Sequence, residues 1–133
     1  MRAQPILLSA ALFLALFGLS CLFVPATLLA RVGTMPQWPA LTGVQLLGSI
    51  FLGFAALNWF SRRTPAGGIY SRPLVVGNFM HFGCGAMVCA KSLMRPHDSL
   101  WLTFLTLTII YAVFAIAFGA LLFGKQSSKT DKQ

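Results

Sequence analysis

Charge is what this sequence has least of. Only 9% of its 133 residues are charged, against 57% hydrophobic, and the acids number two, Asp98 and Asp131. A water-soluble domain of this size needs a polar surface over most of its outside, which so few charges cannot supply. The composition therefore excludes a soluble fold and leaves an integral membrane protein of one small domain.

The shortage of acids excludes chemistry as well. Neither Asp98 nor Asp131 falls in a long apolar stretch. Paired-carboxylate catalysis, a Ser-His-Asp triad inside the bilayer, a carboxylate metal site and proton transport through an intramembrane acid all lack their central residue. Cysteine is also scarce: Cys21, Cys84 and Cys89 make no C-x-x-C motif and no cluster with histidine. That leaves no zinc, iron–sulfur or thioredoxin-like signature. Cys84 and Cys89, separated by about 140° around a helix, cannot bridge within one, so the thiols are expected to be apolar packing groups. Haem held by two histidines would require His81, in the third apolar stretch, to meet His97, in a distant loop. No catalytic residue, metal or cofactor is expected.

What is present is long uncharged runs. Residues 6–30, 41–60, 73–93 and 100–123 each supply the roughly 20 apolar residues that a hydrocarbon core about 30 Å thick requires. The expected architecture is all-α, a bundle of four transmembrane helices forming one domain over residues 1–124, followed by a flexible basic tail, 125–133. So little chain remains outside the membrane that no separate catalytic or nucleic-acid-binding domain is expected. The net charge of +8 reports lipid and topology rather than DNA.

Boundary residues agree with this division. Pro25 falls near the end of the first helix, Gly33, Pro36 and Pro39 break the chain after it, and Pro65, Gly67 and Gly68 mark the second loop. Pro73 suits a first helical turn, and Pro96 with Asp98 or Ser99 as a cap precedes the last helix. Trp38, Trp59, Tyr70 and Trp101 lie at expected interfaces. The start, Met1-Arg2 before an apolar run, resembles a signal peptide. The run is too long and lacks an A-x-A site, so the first helix is expected to be retained.

Orientation follows from the basic residues of short loops. Arg2, Arg62, Arg63, Arg72, Lys125, Lys129 and Lys132 share one side, while Arg31 and Arg95, with Lys91 snorkelling, face the other. Both termini are expected in the cytoplasm. Arg62, Arg63 and Arg72 surround Gly67 and Gly68, and the loop either anchors topology or receives an anionic lipid headgroup.

The third segment concentrates the polar and small residues. Asn78, His81, Gly85 and Ser92 share one helical face and make the leading ligand-site candidate. His81 either staples the bundle through Asn78 or a helix carbonyl, or contacts a ligand or relays a proton. Gln45 and Ser49 on the second helix, and Thr108 and Tyr111 on the fourth, are possible cavity walls, although Gln45 equally suits an interhelical bond and Thr108 a bond to its own backbone. Tyr111 is expected to lean away from His81. Close-approach pairs are Ala11 and Ala15, Ser49 and Gly53, Gly85 and Cys89, and Ala115 and Gly119, acting within one chain or between chains.

The run Gly67-Gly68-Ile69-Tyr70-Ser71-Arg72-Pro73, then Gly77-Asn78 and His81-Phe82, resembles a pattern in small bacterial four-helix membrane proteins. Leu16-Phe17-Gly18-Leu19 with Phe23-Val24-Pro25 also resembles the first helix of such proteins, including the DoxX-like group. The resemblance implies a bacterial inner-membrane bundle and brings no catalytic residue. The expected role is a non-enzymatic module that binds a lipid or another apolar molecule, or supports a membrane partner. A homo-oligomeric transporter or channel, and a membrane enzyme using His81, are the alternatives.

Overall fold

The computed structural model describes residues 3–63, 71–94 and 100–124. The tail 125–133, the loop residues Gly67 and Gly68, and the cap candidates Asp98 and Ser99 lie outside the described residues. Helices α1 (Ala3–Phe23), α2 (Pro25–Arg31), α3 (Trp38–Ser61), α4 (Ser71–Ser92) and α5 (Trp101–Phe123) follow in order. All but the short α2 are long and apolar enough to cross a membrane. At about 1.5 Å per residue they run roughly 32–36 Å, slightly more than the hydrocarbon core. The protein is an all-α bundle with four candidate membrane spans among the described residues.

The first apolar stretch departs from the continuous helix expected over 6–30. It divides at Val24, whose φ of −128° and ψ of 44° leave the helical region. Proline is the cause: Pro25 has no N–H to give the carbonyl four residues back, so α1 stops and α2 starts at the proline. Helix α2 closes with a Schellman arrangement, in which the Gly33 amide donates to Ala30 O and the Thr34 amide to Leu29 O. Gly33 sits at φ 71°, a conformation that glycine adopts without penalty. Pro39 lies in the first turn of α3 and Pro73 in that of α4, where the missing donor costs nothing.

Packing divides the bundle into two antiparallel hairpins, α1 with α3 and α4 with α5. The first hairpin is joined backbone to backbone. A Cβ on Gly18 would come within 2.9 Å of Gly48 O, and one on Gly48 within 2.8 Å of Gly18 O. Of the expected Ala11 and Ala15 pair Ala11 is buried and Ala15 half-buried, whereas Ser49 is exposed and a Cβ on Gly53 would meet nothing. The Ser49 and Gly53 strip therefore plays no part in packing within the chain. In the second hairpin Phe79 covers Gly119, and Tyr111 covers Gly85.

Between the hairpins backbones approach rarely, and large rings fill the space. Within the second hairpin Phe82, fully buried on α4, stacks on Phe114 at 4.7 Å and Phe118 at 5.7 Å of α5 between centroids, and this stack presents its rings to the first hairpin. Phe13 of α1 meets Phe82, Tyr111 and Phe114. The outward faces are aliphatic, with Leu16 69% and Ile116 72% exposed, as surfaces solvated by lipid tails require. Hydroxyls on these helices bond back to their own backbone: Ser20 to Leu16 O, Thr42 to Trp38 O and Thr106 to Leu102 O. Such bonds satisfy a polar group where no water is available.

Candidate functional site

Helix α4 carries Asn78, His81 and Gly85 at spacings of three and four, and helix α3 answers with Phe51, Phe54 and Asn58 at the same spacings. Antiparallel packing brings these two faces together in a seam across the bundle. At the end where α3 finishes and α4 begins, Asn58 and Asn78, both fully buried, form a reciprocal pair. Asn58 Nδ2 donates to Asn78 Oδ1 at 2.8 Å, and Asn78 Nδ2 donates to Asn58 Oδ1 at 2.9 Å. Asn78 Nδ2 also donates to Leu74 O at 2.9 Å, so both its hydrogens are used.

This pairing changes the surroundings of His81. Asn78 is committed to Asn58, and His81 Nε2 is enclosed with no hydrogen-bond partner among the described residues. The imidazole stands among rings: stacked on Phe54 at 5.0 Å, edge-on to Phe51 at 5.6 Å and Phe82 at 5.1 Å, and 5.8 Å from Tyr111. The expected separation of Tyr111 from His81 is thus corrected. Gly85 is the reason, because the Tyr111 ring occupies the space a Cβ there would take and so lies across α4 one turn from His81.

Gln45 and Ser49 do not join the seam. The inward face of α3 is set by Gly48, Phe51, Ala55 and Asn58, leaving both side chains on the exposed flank. Gln45 Nε2 instead donates to Leu22 O of α1 at 3.4 Å, the interhelical bond weighed as its structural role. Ser49 bonds Leu46 O, and Thr108 bonds Phe104 O within its own helix. Neither Gln45 nor Ser49 walls a cavity around His81.

The arginines also divide. Arg62 is folded back on the end of α3, its guanidinium 4.0 Å from the Trp59 ring centroid and its Nη1 donating to Trp59 O. It closes a helix terminus and anchors an interfacial tryptophan. Arg63 and Arg72 are exposed. The glycines they were expected to flank lie outside the described residues.

Asn58 is the seam residue that sequence reasoning missed. Its signal was an amide one turn from the end of an apolar stretch, seven residues after Phe51, mirroring the spacing from Asn78 to Gly85. The described residues include neither aspartate nor glutamate, and no group of three His, Cys, Asp or Glu among them could hold a metal ion. Chemically, the seam offers one imidazole nitrogen without a partner among the described residues, inside an aromatic cage. In comparisons with known proteins, the chain matches no family model, no curated protein and no solved structure.

Proposed function

We propose that this protein is a non-enzymatic membrane module that binds a lipid or other apolar molecule between its two hairpins, with His81 as the contact residue. The observation that carries the reading is the enclosed, unpartnered His81 Nε2. A buried polar atom left without a partner costs about 1–3 kcal/mol, and a ligand's hydrogen-bonding group would recover that cost. The aromatic walls supply the apolar contact such a molecule needs. Because rings rather than backbones meet between the hairpins, the seam can part without breaking a helix.

The setting proposed is the bacterial inner membrane, in line with the resemblance to the DoxX-like group, with both termini cytoplasmic by the loop charges. Exposed Arg63 and Arg72 suit anionic headgroups on that side. Association with a second copy or a membrane partner is part of the same proposal.

Native mass spectrometry of the purified protein tests the reading. The wild type is expected to retain an apolar molecule that His81→Phe, which preserves the ring volume but removes both nitrogens, does not. Equal retention by a folded His81→Phe protein would overturn it.

A further inference from the structure

We infer that the molecule received at His81 is an uncharged lipid alcohol, an inference that rests on the reading of His81 as a binding residue. Three observations converge on that class. The first is depth: His81 stands ten residues into the 22-residue α4, roughly 15 Å from either end at the rise of a helix. Phospholipids and fatty acids hold their charged heads at the interface, so at this level they present only acyl tails, which have nothing to offer Nε2. A group that hydrogen-bonds at mid-membrane must belong to a molecule able to bring it there uncharged.

The second is electrostatic. The rings packed against His81 are those of Phe51, Phe54, Phe82 and Tyr111, which among the described residues make a shell without a cation for a bound carboxylate or phosphate or a carboxylate for a bound amine. Arg31, Arg62, Arg63, Arg72 and Lys91 all lie at helix ends or just beyond them. The third is the imidazole itself. A neutral ring presents at Nε2 either a lone pair or an N–H, and a hydroxyl, being both donor and acceptor, satisfies it in either tautomer. An ether or ester oxygen satisfies only one of them. Entry is lateral, through the ring-filled seam between the hairpins, since Nε2 is enclosed.

The test uses the full chain in phosphatidylcholine nanodiscs with two photoreactive probes of equal chain length, a diazirine long-chain alcohol and the matching diazirine fatty acid. Labelled peptides are mapped in the wild type, His81→Phe and His81→Gln, each checked for folding by its melting curve. The alcohol is expected to label α4 around His81 in the wild type, at least fivefold less in His81→Phe, and to recover at least half in His81→Gln. Excess unlabelled alcohol, but not unlabelled fatty acid, is expected to suppress labelling in the wild type, a measurement that requires no variant. If the acid probe labels or competes with the same dependence on His81, the binding site stands and the alcohol class is overturned. If neither probe depends on His81, and neither unlabelled lipid competes, the site and its class both fall.

Discussion

Removing one amide from the Asn58 and Asn78 pair and removing both are different experiments. Asn58→Leu leaves Asn78 Oδ1 buried without its donor, at a cost of about 1–3 kcal/mol. Replacing both residues by leucine removes the need along with the partner, and interhelical hydrogen bonds in membranes average only about 0.6 kcal/mol. The double variant is therefore expected to unfold later than either single variant in a denaturing-detergent titration. Additive losses would show that the two amides act independently. The pair also marks where residue-scale reading stopped. Asn78, His81 and Gly85 were legible because polar and small side chains at helical spacing stand out against an apolar background. Asn58 was not, because its importance comes from facing Asn78, a tertiary relation that no local spacing contains. Gln45 and Ser49 failed as cavity walls for the converse reason: they share a face with each other, but which face of α3 points inward is decided by Gly48 meeting Gly18.

Among elements, the contrast between two glycines of similar sequence surroundings is the sharpest available test of the packing. Gly18 lies against the α3 backbone, and a leucine there must push the two helices apart. Overpacking of this kind costs typically about 1–3 kcal/mol, sometimes more. Gly53 faces open space, so Gly53→Leu is expected to leave stability unchanged or slightly raised. Thermal melting of the two variants in detergent checks both halves, and equal destabilisation would mean that Gly53 is also in contact. The four spans themselves were legible, since length and apolarity are set by the bilayer and not by neighbours. The pairing of helices was not, because every helix carries small residues and hydrocarbon-facing and core-facing sides are almost equally apolar. Pro25 was placed near the end of the first helix, yet only the backbone reveals that it divides that helix into α1 and α2.

For the whole molecule, four spans with seven basic residues on one side and three on the other predict a single orientation. Reporter fusions at both termini are expected in the cytoplasm and one near Pro36 on the far side; opposite locations for the two termini would remove one of the spans. The hydroxyls that bond back to their own helices bear on how such a molecule is made. Ser9 and Ser20 of α1, Thr42 and Ser49 of α3, and Thr106 and Thr108 of α5 can leave the insertion machinery already satisfied by their own helices, so these hydroxyls need not wait for another helix before entering lipid. Side-chain amides are different: Asn78 of α4 is buried and needs an amide to meet. That amide belongs to α3, which is synthesised first and holds Asn58 within one turn of its last residue, close enough to the interface to stay hydrated until α4 arrives. Order of synthesis thus supplies the partner before the need for it, and the more polar of the two hairpins enters a membrane where the first is already in place.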